Sequence, residues 1–315
     1  MRHMQWKNQT SITKFILLGF RNMNEVQILL FVLFLVIYIV TLAGNLLIVM
    51  LVVADQQLHT PMYFFLGNLS FLDTCYTSVI APRLLSGFLA EDRTMSFGDC
   101  ITQLFFFSAL ACTECFLLAV MAYDRYLAIC DPLSYNVIMN LRFCLQLVSA
   151  SWITGFSVSA LAVGMVPQLS FCGPNEINNF FCDMEELLKL SCTKSRLAEM
   201  IILVSCSLVS LVPLLFIVMS YILILSATLQ IASSAGRQKA FSTCASHLLV
   251  VSLYYGTIVI MYVSPSAEQS PAFHKALSIM YTVVTSMFNP IIYSLRNKEV
   301  KGAFRKVVLQ NLGMI

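Results

Sequence analysis

Seven apolar runs separated by polar intervals dominate the 315-residue chain. Residues 26–53, 143–166, 200–231, 240–267 and 276–295 contain no Asp, Glu, Lys or Arg. Residues 62–81 are apolar apart from Asp73, and 101–123 apart from Glu114. A helix needs about 20 apolar residues to cross a bilayer, so each run is long enough to span. With their flanks, the runs predict spans at about 26–53, 60–88, 98–130, 142–166, 198–230, 238–263 and 272–295. A polar tail over 1–25 precedes them and a tail over 296–315 follows. Only one other connection is long, roughly 163–198, between the fourth and fifth spans. No internal repeat or low-complexity segment is visible. The predicted fold is an all-α membrane protein: a seven-transmembrane helix bundle with a short amphipathic C-terminal helix.

Composition sharpens this reading. The chain is 58% hydrophobic and 11% charged, against about a quarter charged in a soluble domain. Mean hydropathy is +0.81, which excludes a water-soluble globule. A net charge of +3 gives no basis for nucleic acid as a partner. Residues 1–25 intersperse Arg2, Lys7, Lys14 and Arg21 with no early apolar core, so the first span is expected to act as its own uncleaved insertion signal. With the N-terminus outside, the cytoplasmic side holds nine bases and four acids, and the outer side ten of each. The base count alone does not discriminate, because most of the outer bases lie in the tail and the long loop, where the rule is weak; the net balance favours this orientation. Asn8 opens the sequon Asn8-Gln9-Thr10, and a glycosylation acceptor must face the lumen. Asn68 also opens a sequon but lies within a span. The expected location is the plasma membrane, multi-pass, with the C-terminus cytoplasmic.

The most informative string is MAYDRYLAICDPLSY, residues 121–135. Asp124, Arg125 and Tyr126 close a long apolar run, and charges there are costly unless they sit at the membrane edge or have a task. Twenty-five residues separate Cys100 from Arg125, roughly 38 Å of helix at 1.5 Å per residue. One helix therefore carries Cys100 at its outer edge and Arg125 at its inner edge. The long outer connection adds Cys172, Cys182 and Cys192. Four outer cysteines allow three pairings. The other seven cysteines read as small apolar packers.

These strings carry a family resemblance. Gly44-Asn45 lies in the first span and LHTPMYFFLGNLSFLD covers 58–73. MAYDRYLAICDPLSY covers 121–135, Ser220-Tyr221 closes the fifth span, KAFSTCASHL covers 239–248 and NPIIYSLRN covers 289–297. In this order, on seven spans, the chain resembles a vertebrate odorant receptor of the tetrapod-type class, within the rhodopsin-like G-protein-coupled receptors. The resemblance extends over nearly the whole chain.

The resemblance implies disulfides Cys100–Cys182 and Cys172–Cys192, with Cys100–Cys192 the rival pairing. It implies a G-protein switch built from Asp124, Arg125, Tyr126, Tyr221, Lys239, Asn289, Pro290 and Tyr293. In that switch Asp124 restrains Arg125 at rest, and the seventh span, broken at Pro290, rearranges on activation. It places Asn45 and Asn289 opposite Asp73 and Glu114. That intramembrane cluster reads either as a sodium or proton site or as a hydrogen-bonded packing cluster. The ligand site is expected in the outer half of the bundle. Its lining would be Phe107, Ser108, Ala111 and Cys112 from the third span, and Ile202, Ser205, Cys206 and Val209 from the fifth. Tyr255, Val259 and Tyr262 would come from the sixth, and Ile279 and Thr282 from the seventh. This set carries no charge and suits a small neutral volatile organic molecule. The expected partners are that odorant, a heterotrimeric stimulatory G protein that raises cyclic AMP, and membrane lipid.

Two positions depart from the family pattern: Asp131 and Asn179 each stand where His is usual. An acid at 131 is expected to weaken or alter coupling. Asn179 lowers any metal reading, and Cys112 with Cys115, three apart, reads as packing, so neither metal nor cofactor is expected beyond sodium near Asp73 and Glu114. A transporter would show inverted repeats or rings of charge. An enzyme would show a catalytic motif such as HExxH or a P-loop. Neither signature is present, so the chain reads as no enzyme. After Asn297, Val300, Phe304 and Val307 share one face, with Lys298, Lys301, Arg305 and Lys306 elsewhere. This predicts an interfacial helix drawn to anionic lipid.

Overall fold

Apolar runs this long have one open way to satisfy backbone polar groups in lipid, which is to hydrogen-bond within the run as a helix. The computed structural model describes residues 13–19, 26–89, 93–171, 175–192, 196–231, 233–263, 271–296 and 298–311. Its helices, in chain order, begin with α1 (Gln27–Ala54), α2 (Pro61–Leu89) and α3 (Phe97–Cys130). The short α4 (Pro132–Ile138) leads to α5 (Leu141–Gly164). The loop helix α6 (Met184–Leu190) precedes α7 (Arg196–Leu229) and α8 (Ser234–Val263). Then come α9 (Pro271–Ile279), α10 (Thr285–Arg296) and α11 (Lys298–Asn311). The membrane-spanning segments are α1, α2, α3, α5, α7, α8 and the α9–α10 pair. Six described helical segments are long and apolar enough to cross a membrane by composition alone. The remaining span is α2, whose apolar run is diluted by Asn68, Asp73, Thr74, Thr77 and Arg83.

The third span is the axis of the bundle. Its buried residues run from Cys100 to Leu127 and include Gln103, Thr113, Glu114, Asp124 and Arg125. Helices α1 and α7 instead turn Leu29, Val36, Leu203, Leu215 and many other large apolar side chains outward, as lipid-facing helices do. Lipid tails are as apolar as these side chains, so helices associate in membranes through close packing and internal polar contacts. The tight contact of α5 on α3 shows this. A Cβ on Gly155 would lie 2.2 Å from Thr113 Oγ1 and 2.9 Å from the Ala109 carbonyl oxygen. Only glycine fits there.

Two features differ from the sequence reading. The polar N-terminal tail contributes a strand, β1 (Lys14–Leu17), to a sheet with β2 (Thr94–Ser96) and β3 (Glu176–Ile177). The sheet order is β2-β1-β3; β1 is antiparallel to β2, with Phe15 opposite Met95, and parallel to β3. The alternation in Lys-Phe-Ile-Leu explains it, because Phe15 and Leu17 are buried while Lys14 stays exposed. They form a small outer core with Met95, Leu104, Val166, Ile177 and Leu187.

The second difference lies in the seventh span. A break was expected at Pro290, yet α10 continues through it. The irregularity falls earlier, as a π-helical turn over Met280–Val284. One extra residue in a turn is the usual origin of such a bulge. Thr285 Oγ1 donates to the Met280 carbonyl at 3.1 Å. The Pro290 ring packs against α1, where a Cβ on Gly44 would sit 3.2 Å from the ring carbons.

Candidate ligand site and cytoplasmic switch

The outer end of α3 is joined to the long loop by a Cys100–Cys182 disulfide, with a Cα–Cα distance of 5.4 Å. This excludes the rival Cys100–Cys192 pairing. Cys192 is itself disulfide-bonded; its expected partner Cys172 lies outside the described residues, as does Asn8. Gln103 Oε1 accepts the Cys182 backbone N–H at 3.0 Å, so the loop is held by a hydrogen bond as well as the covalent bond. Phe181 is thereby set over α3. Its ring centroid lies 5.0 Å from that of Phe107, which lies 5.3 Å from Tyr76.

The ligand candidates differ in burial. Phe107, Ile202, Val209, Tyr255 and Thr282 are buried; Ser108, Ala111, Cys112, Ser205 and Ile279 are partly so. Cys206 is exposed yet within electrostatic reach of Cys112 and Asp183, so it borders the space facing α3. Val259 is 45% exposed and leaves the buried stripe of α8, which runs through Val250, Val251, Tyr254 and Tyr255. Only the backbone of Tyr262 is described. The named set itself carries no charge, but two acids outside it lie close by. Asp183 is buried and lies within reach of Tyr76 and Cys206, and Glu114 lies within reach of Tyr76. Sequence spacing singled out Tyr255, but its neighbour Tyr254 bridges the helices. Tyr254 Oη donates to the Ala111 carbonyl at 3.0 Å and lies 3.5 Å from Cys115 Sγ.

The intramembrane polar groups converge. Asn289 Nδ2 donates to Asp73 Oδ2 at 2.9 Å, and Asn45 Nδ2 donates to the Ser286 carbonyl at 3.2 Å. Asp73 and Glu114 are close enough to interact electrostatically. Among the described residues, five buried oxygens of this region have no hydrogen-bond partner: Asn45 Oδ1, Asp73 Oδ1, Glu114 Oε1, Asn289 Oδ1 and Tyr293 Oη. Such a concentration of unmet acceptors is costly. It is the donor set a small hard cation or a water cluster would satisfy.

At the cytoplasmic end Asp124 and Arg125 are buried. Among the described residues they form no ion pair within 4.0 Å, although the two groups lie within electrostatic reach of each other. Asp124 Oδ1 instead accepts from Tyr135 Oη at 2.8 Å. Burial, and then the Asp124 carboxyl, push the Tyr135 phenol well above its ordinary value, which keeps it a donor. Arg125 lies within electrostatic reach of Tyr221, Cys244, His247 and Tyr293. Tyr221 Oη lies 2.6 Å from His247 Nδ1, joining α7 to α8. Tyr126 is half-buried and its ring stacks on Tyr123. The Lys239 side chain lies outside the described residues. The sequence reading gave no role to His247 or Tyr135, though a histidine in an apolar run is itself a signal. The departures also have structural roles. Asp131 Oδ1 caps α4 by accepting the Ser134 N–H at 3.3 Å. Asn179 is buried, with its Oδ1 2.8 Å from the Phe180 N–H.

This arrangement has close structural counterparts. Squid rhodopsin matches with a TM-score of 0.73 over 91% of this chain and 82% of that one, at 18% identity. The fold is therefore that of a seven-helix G-protein-coupled receptor. A family model described as "Olfactory receptor" matches residues 34–311. Mouse olfactory receptor 5AP2 is 49% identical over 97% of this chain and 96% of its own length. Human olfactory receptors 11L1 and 10A5 are 48% and 51% identical, over 99% and 95% of this chain and 97% and 95% of theirs. The chain belongs to the olfactory receptor family. It is a multi-pass membrane receptor, not an enzyme, of a class that binds small ligands and G proteins.

Proposed function

We propose that the chain detects a small, neutral, volatile organic molecule and activates a stimulatory G protein that raises cyclic AMP. It would act at the plasma membrane, N-terminus outside. The observation that carries the ligand chemistry is the buried or partly buried apolar set Phe107, Ala111, Ile202, Val209 and Tyr255, with the Phe181 ring against Phe107. This surface is largely apolar, with Ser108, Ser205, Thr282 and thiols as the polar contacts nearest the ligand. Binding would rest on dispersion and one or two hydrogen bonds. Arg125 is the G-protein-facing group. The Tyr221–His247 contact lies beside it, so separation of α8 from α7 would release it. In transfected cells an odorant panel should evoke cyclic AMP, and Arg125→Ala should abolish the response at unchanged surface amount. Normal signalling by that variant would refute the role.

The unmet oxygens around Asp73 also support a sodium ion held by Asp73, Glu114, Asn45 and Asn289. Raising sodium at constant ionic strength should shift agonist potency in the wild type and less in Glu114→Gln. Equal shifts in both, or none in either, would refute it.

A further inference from the structure

We infer that the groove between α1, α10 and α11 is a binding site for one acyl chain of an anionic phospholipid, with Lys301 at its mouth holding the headgroup. The groove has a volume of about 270 Å³. Its floor is Ile48, Leu51, Pro290 and Val300, all buried, and its rim is Val40, Leu47, Ile291 and Phe304. It exists for reasons readable in the chain. Gly44 lets α1 come within contact of the Pro290 ring, and α11 then turns along the end of α1. Val300 and Ala303 are buried, whereas Phe304 is left half-open at the groove edge.

The occupant follows from the surroundings. Nearly all the lining is apolar and the groove lies on the outside of the bundle, so lipid is the medium that meets it. An apolar wall alone gives no preference among lipids, because tails are as apolar as the wall. Preference must come from the headgroup, and among the described residues the one charged side chain lining the groove is the base Lys301. Among the described residues Lys301 has no ion pair. The neighbouring Lys306, by contrast, reaches Asp55 Oδ1 at 3.4 Å. Lys301 is thus free to meet a phosphate or carboxylate, and Arg305, exposed on the same helix, does not line the groove. Assigning the site to the inner leaflet rests on the orientation proposed above; the lipid chemistry does not.

The test is to reconstitute the full chain in discs of phosphatidylcholine with a minor share of phosphatidylserine, then measure retained lipid by mass spectrometry after gentle extraction. Wild type should retain phosphatidylserine enriched about fivefold over its share of the disc, the effect of one base near a membrane surface. Lys301→Ala should lose the enrichment while still retaining phosphatidylcholine. Arg305→Ala should keep it. Leu47→Trp, or Val40→Trp should the first variant fold poorly, fills the groove and should lose the retained lipid altogether. Equal loss of enrichment in Lys301→Ala and Arg305→Ala would mean diffuse attraction to the basic helix and would overturn the site. So would retention unaffected by either tryptophan. None of these readings depends on odorant or cyclic AMP.

Discussion

At the scale of single residues, the bond from Tyr135 to Asp124 redefines the switch. Removing a donor from a buried carboxyl costs about 1–3 kcal/mol. If this bond belongs to the resting arrangement, Tyr135→Phe should raise basal cyclic AMP per receptor at the surface; an unchanged basal level would show that the bond persists on activation. Asp131 is tied to the same short helix as its cap. Losing a cap costs about 0.5–2 kcal/mol, so Asp131→His should alter coupling through α4 order. Identical basal and evoked signalling in that variant would remove Asp131 from the account. Arg125, Asp73 and Asn289 stood out in the sequence as charge or amide groups in apolar runs, and Tyr221 came from the family resemblance. Tyr254 was not legible. It is adjacent to Tyr255, and a one-residue choice of helix face depends on how α8 is rotated, which spacing alone leaves open.

At the scale of elements, close approach decides more than hydropathy. Gly155 lies against Thr113 and Ala109, so Gly155→Ala must push α5 from α3. Overpacking of this kind costs about 1–3 kcal/mol. It should lower the melting temperature of purified receptor by several degrees; an unchanged melting temperature would mean the helices separate freely. Hydropathy located the spans, since length and lack of charge are strong signals. It did not locate the π turn over Met280–Val284, which carries no residue type of its own, and so drew attention to Pro290 instead. The strand at Lys14–Leu17 was hidden for a related reason. Four residues alternate weakly, and they are ordered by partners some 80 and 160 residues away in the chain.

At the scale of the molecule, the Cys100–Cys182 bond closes 82 residues of chain and sets Phe181 against Phe107 on α3. A loop of that length constrains the unfolded chain by about 4–5 kcal/mol, so Cys182→Ser should sharply reduce surface amount. Wild-type amounts would show that the loop holds without it. Family and fold were both legible from the chain. The approach of Asp183 and Glu114 to Tyr76 was not, because it depends on how loop and helices pack. The central claim is that odorant binding in the outer layer drives a G protein through Arg125. The most direct measurement is cyclic AMP in cells expressing wild type or Arg125→Ala at matched surface amount, challenged with a panel of small neutral odorants. At least one odorant should raise cyclic AMP in wild type, with no response from Arg125→Ala. An equal response from both would contradict the account.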